Sequence, residues 1–241
     1  MKKIAILFFY ILIFQFSVQG QEKGDYKRSF TEGSFLVLEN NYFQALKSFL
    51  QAYAIDSTNA NINYKVGFCY LKTASEKGKA LKYLEKAIAN TSTKYSDMEP
   101  QEKSAPIHAY YYYGQALHFN YQFDEAVVNY EKFKSYLSEK QHELWKDVNR
   151  QIEISNNAKI LVAAPVNVII TNMGDSINSS YPDYSPVVAA DEETIIFTSR
   201  RPGSTGGDKT DNGSFYEDIY ISYKKKDSTW STPASISTNI N

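Results

Sequence analysis

Few residues in this chain could carry covalent chemistry. The most suggestive group is Gly174-Asp175-Ser176, which follows the β-branched run VNVIIT and could present the Ser176 hydroxyl on a turn. A serine hydroxyl needs a positioned base to act as a nucleophile. All the histidines, His108, His118 and His142, lie upstream in a part of the chain that reads as helical. A turn leading into a strand explains the same letters better. Asp208, Asp211, Glu217 and Asp218 stand among glycines and could offer oxygens to Ca²⁺, but the D-x-D-x-D-G order of a calcium loop is missing. A solvated loop tip is the expectation there. The single cysteine, Cys69, sits between Phe68 and Tyr70 and reads as a small buried residue. The expectation is a protein that is not an enzyme, with no catalytic residue, no metal and no cofactor, whose work is binding.

The chain of 241 residues allows one large domain or two modest ones. Its 26 basic and 27 acidic residues balance, so no basic face is implied and nucleic acid is set aside as a partner. Twenty tyrosines suit half-buried surfaces, where a ring packs and a hydroxyl reaches a polar partner. The opening MKKIAILFFYILIFQFSVQGQ has a positive start, an apolar run from Ile4 to Phe14 and small residues at Val18 and Gly20. That is the layout of a signal peptide over residues 1–20, with no integral membrane span left after cleavage. Gln21 stands where a bacterial lipoprotein has its cysteine.

Three segments share one pattern, beginning at Gly33, Gly67 and Gly114. Each has a polar turn, then an alanine (Ala45, Ala80, Ala126) followed four positions later by a bulky residue (Phe49, Leu84, Tyr130). Glycine and alanine leave room where two antiparallel helices approach, and the bulky side chain fills the groove beside them. The first two glycines are separated by the spacing of tetratricopeptide (TPR) repeats, which the chain resembles over 25–162 as three repeats and a capping helix. The capping helix is read in QHELWKDVNRQIEISNNAKILV; a polar insertion, TSTKYSDMEPQEKSAP, separates the second and third repeats. Ser29 and Ser57 depart from the family, standing where an aromatic and a proline are usual.

TPR arrays bind peptides on the first helix of each repeat. By that resemblance the groove residues are Phe30, Tyr64, Phe68, Tyr111, Gln115 and His118, while Tyr110 and Tyr113 face the core with Leu117. Phe30 and Ser34 occupy positions where the family's clamp for C-terminal carboxylates has Lys and Asn, so an acidic peptide tail is not the expected ligand.

Beyond Pro165 the period turns strand-like. VNVIIT is a β-branched run; the strands VV, TIIFTSRR, DIYISYK and WSTPASI follow, joined by hairpin tips. Ser185, Pro186, Asp191, the run Ile196 to Arg200 and Asp218-Ile219-Tyr220 resemble the WD40-like repeat of TolB-type β-propellers, so 166–241 is expected to be one four-stranded antiparallel blade of an incomplete propeller. Ile177-Asn178 recurs as Ile240-Asn241, where a next blade would start. The expected fold class is thus α+β in separate domains. Repeats followed by a propeller behind a signal peptide resemble a family of Bacteroidota envelope proteins associated with type IX secretion (PorE-like). The resemblance implies a non-catalytic scaffold in the periplasm at the outer membrane, with envelope proteins or peptide segments as partners. Peptidoglycan would be reached only through a C-terminal OmpA-like domain that this sequence does not contain. Such propellers also precede the hydrolase domain of prolyl-oligopeptidase-like enzymes. That alternative would need a catalytic domain elsewhere, since no G-x-S-x-G occurs here. GDS after a strand also resembles the nucleophile block of SGNH-type esterases, whose Asp and His lie near the C-terminus.

Overall fold

The computed structural model describes residues 24–241 except Ala74, Ser75, Gly206, Asp208, Asp211 and Asn212. The expected signal peptide and two of the loop aspartates lie outside the described residues. The described residues form two compact units, divided between Pro165 and Val166. Helices build the first and an antiparallel four-stranded sheet builds the second.

In the helical unit, α1 covers 24–38 and is followed by α2 (Tyr42–Ile55), α3 (Ala60–Lys72), α4 (Ala80–Ile88), α5 (His108–Phe119), α6 (Phe123–Lys134) and α7 (His142–Ala163). Helices α1 and α2, and likewise α5 and α6, are joined by the same tight turn. The amide of Asn41 reaches the Leu36 carbonyl and that of Asn40 the Val37 carbonyl; Gln122 and Tyr121 repeat this on Leu117 and His118. Both turns pass through a left-handed residue, Asn40 at φ 58° and Tyr121 at φ 62°. This wrap satisfies helix-end carbonyls and reverses the chain.

The paired helices then close on the glycines. A Cβ on Gly33 would lie 2.6 Å from the Phe49 ring, one on Gly67 2.5 Å from Leu84, and one on Gly114 2.6 Å from the Tyr130 ring. Ala45, Ala80 and Ala126 beside them are fully buried. Excluded volume therefore sets the helix separation at three equivalent places. Helix α7 continues the stack: Val148 is fully buried against Leu117, Tyr130 and Phe133.

The insertion between α4 and α5 is fastened down. Thr91–Ser92 (β1) pairs in parallel with Ala105–Pro106 (β2). The Tyr95 hydroxyl donates to Asn61 at 2.7 Å, and Asp97 holds the buried Lys65 ammonium at 2.8 Å over the rings of Phe30 and Phe49. Asn59 caps α3 by accepting from the amides of Asn61 and Ile62, while its own amide donates to Tyr26.

In the second unit β3 (Asp183–Val188), β4 (Thr194–Ser199), β5 (Asp218–Tyr223) and β6 (Ala234–Ser235) pair in chain order, all antiparallel. A bulge at Ser185-Pro186 interrupts the first pair, with Ser185 at φ 53°. Residues alternate along β4 and β5, so Ile195, Phe197 and Tyr220 share one buried face, which Ile177 covers. Arg201 lies over the rings of Phe197 and Tyr220 and donates to Asp183 and to the Ile177 carbonyl, each at 2.8 Å. The run VNVIIT corrects the sequence expectation. It forms no strand, and Ile169 and Ile170 are more than nine-tenths exposed. β-branched residues favour a strand only where a neighbouring edge and a packing surface exist, and this run has neither among the described residues. No described helix is long and apolar enough to cross a membrane.

Candidate functional site

Helix α5 carries four consecutive tyrosines, Tyr110 to Tyr113, with Gln115 and His118 further along, and is flanked by α3 and α7. On the α7 side, the Tyr111 hydroxyl donates to Asp147 at 2.5 Å, and the Gln115 amide donates to that hydroxyl at 3.2 Å. His118 Nδ1 and the Ser155 hydroxyl lie 3.0 Å apart. Asp147, Gln151 and Ser155 recur every four residues along α7 and so form one stripe facing α5. On the α3 side, the Tyr112 ring meets Phe68 edge-on at 4.9 Å and Tyr64 at 6.0 Å, with the Lys72 ammonium over both Phe68 and Tyr112.

Two cavities follow this groove and share Lys72 and Gln115. One, of about 210 Å³, lies among Tyr111, Tyr112, Leu144 and Asp147. The other, of about 370 Å³, lies among Leu71, Lys77, His118, Phe119 and Gln151. The larger is at the low end of the ~300–1,000 Å³ typical of ligand pockets, and suits side chains of a peptide better than a large cofactor. Charges of both signs line the groove as a whole: Lys72 and Lys77 border the larger cavity, Lys72 and Asp147 the smaller. Burial, then the Asp147 carboxylate, pushes the Tyr111 phenol well above its ordinary range. Burial lowers His108 and His118 below 6.5, so at neutral pH both imidazoles are uncharged and each can donate and accept.

The sequence-derived groove residues divide. Tyr64, Phe68, Tyr111, Gln115 and His118 are partly exposed on α3 and α5. Phe30 is a correction: it is fully buried, stacked on Tyr26 and set edge-on to Phe49, and presents no surface to a ligand. Its neighbours on α1 at helical spacing are Tyr26 and Gly33, both turned into the core, and Phe30 follows them. Tyr110 stacks on Tyr136, and Tyr113 packs between the two helical clusters. Missed were Tyr112, Lys72, Asp147 and Ser155. The signal for the last two was present in the four-residue spacing Asp147-Gln151-Ser155, beside the apolar Val148 that docks the same side of α7.

The other candidates offer less. Ser176 is exposed on a turn, and no histidine belongs to its unit. Asp218 accepts from the amide and hydroxyl of Thr205, and Glu217 pairs with Arg200. Cys69 is buried, and desolvation raises its thiol to about 12. Among the described residues no three His, Cys, Asp or Glu side chains gather as a metal site requires. The chain matches no protein-family model and no curated protein.

Proposed function

We propose that the helical unit is a TPR-like stack whose groove along α5 clasps a peptide segment of a partner protein, and that the sheet unit is one blade of a WD40-like propeller. The protein would be an exported, non-catalytic scaffold of a bacterial cell envelope, serving a secretion or outer-membrane complex. The observation that supports this best is the groove itself: apolar walls from Phe68, Tyr112 and Phe119, with Gln115 and His118 between them on one helix face. Apolar side chains of the segment enter the two cavities, while its backbone amides meet Gln115 and His118. Charges of both signs line the groove, so steering is weak and fit decides the partner. Export and envelope location rest on the leader-like opening and on the PorE-like resemblance. Linkage to peptidoglycan would run through a further module.

Site-specific photo-crosslinking in living cells tests this reading. A photoreactive residue in place of His118 or Tyr112 should give one discrete heavier species, and one in place of Val128, exposed on α6, should not. Equal capture at all three positions, or none in the groove, refutes it.

A further inference from the structure

The two Ile-Asn pairs of the sheet unit are the same turn in opposite circumstances. The amides of Ile177 and Asn178 both bond to the Gly174 carbonyl; those of Ile240 and Asn241 both bond to the Ser237 carbonyl. Each member stands 63 positions from its counterpart (174 to 237, 177 to 240). Yet Ile177 is 4 % exposed and Ile240 is 60 % exposed. Ile177 is buried because the strands that follow it, β4 and β5, lay Ile195, Phe197 and Tyr220 over it, and Arg201 takes its carbonyl. Among the described residues nothing of that kind covers Ile240.

Asn241 shows the turn's other side. Its side-chain oxygen accepts from the Ile219 amide at 2.8 Å, and its nitrogen donates to the Ile219 carbonyl at 3.0 Å and to the Ser235 hydroxyl at 2.6 Å. One carboxamide thus satisfies both backbone groups of a β5 residue, as a paired strand would, and ties the turn to the sheet that precedes it. We infer that Ser237–Asn241 is a coupling turn, in which Asn241 grips the sheet before it and Ile240 is the core residue of a second four-stranded sheet of the same build, joined directly after Asn241. The seat is the one Ile177 already fills: two β-branched or aromatic inner-strand residues plus a tyrosine, with an arginine on the isoleucine carbonyl. This rests on the reading of 166–241 as one member of a series of such sheets, and adds which residues join successive members. A second copy of this chain does not fit as the occupant, because Ile177 holds its seat.

The test extends the full chain with a second copy of residues 179–241 placed after Asn241, and substitutes Ile240→Cys in both the extended and original chains. Cys69 is buried, so thiol labelling reads position 240. The expected result is fast labelling in the original chain and labelling slowed at least about tenfold in the extended one, as for a site opened only by local unfolding. Ile240→Asp in the extended chain should unfold the added sheet alone, seen as lost strand signal and a shorter protease-resistant fragment, whereas Ile240→Leu should not. If the added sheet folds but the thiol introduced at position 240 labels equally fast in both chains, the coupling role is overturned and the series reading stands. If the added sheet does not fold with Ile240 intact, both fall. Protection of that introduced thiol in the original chain, rising with protein concentration, would assign the surface to self-association and also overturn the inference.

Discussion

Gly114→Ala separates packing from propensity by the sign of its effect. Helix propensity alone favours alanine in a helix interior by about 1 kcal/mol. In α5, however, the added Cβ would lie 2.6 Å from Tyr130 Cε1 and 2.8 Å from Cδ1, where contacts below 3.4 Å are already tight. The ring would have to retreat by roughly 0.8 Å, and Tyr130 is 1 % exposed, backed by Tyr111, Phe133 and Val148. Overpacking of this kind costs about 1–3 kcal/mol, so a net loss of about 0–2 kcal/mol is expected after the propensity gain, in place of a gain of about 1 kcal/mol. With a urea slope of about 2 kcal/mol/M the midpoint should fall by up to roughly 1 M, where propensity alone would raise it by roughly 0.5 M. Urea unfolding followed by helical ellipticity at about 222 nm reports on the helical unit.

Gly24→Ala is the matched control, since a Cβ there meets nothing within 4 Å, and it should be neutral or slightly stabilising. Tyr130→Leu should relieve the clash. The double variant is then more stable than the sum of the single losses, with a coupling of at least about 1 kcal/mol. Stabilisation by Gly114→Ala to the extent that propensity alone gives would refute the account of helix spacing at all three glycines.

Tyr121 holds a left-handed conformation at φ 62° and is 72 % exposed, so Tyr121→Gly should raise the helical unit's stability by about 1 kcal/mol in the same urea assay; a loss would mean the ring contact with Phe123 outweighs the strain. In the sheet unit, Arg201→Lys should lower stability by about 1–3 kcal/mol, because an ammonium cannot serve Asp183 and the Ile177 carbonyl while lying flat on two rings; Arg200→Lys should cost less, and equal costs by thermal unfolding would count against this role. Burial keeps His108 and His118 below 6.5, so the unfolded chain binds protons more readily; stability is full above that value and falls as pH drops through it towards the depressed folded values. The double variant His108→Gln/His118→Gln should flatten the thermal midpoint between about pH 7 and about pH 5, and an unchanged slope would locate the pH dependence elsewhere.

What the sequence could express was excluded volume. Glycine and a large residue can signal each other because one leaves the space that the other needs, and the contacts Gly33–Phe49, Gly67–Leu84 and Gly114–Tyr130 are that relation. Alternation along TIIFTS and DIYISY works the same way, since a buried sheet face imposes period two whatever covers it. What it could not express were polar pairings across long separations. Tyr95 with Asn61 and Asp97 with Lys65 fasten a segment whose composition suggests only a loop, and single letters do not reveal which distant carboxylate neutralises a buried lysine. The groove lies between these cases. Tyr111, Gln115 and His118 share a face by helical period alone, but the partners that orient them, Asp147 and Ser155, are set by how α7 docks through Val148. Phe30 shows the limit of position by resemblance: its own helix places it in one stripe with Tyr26 and Gly33, and that stripe is buried. The VNVIIT run shows the limit of propensity, for a β-branched sequence acquires a strand only when an edge is there to pair with it.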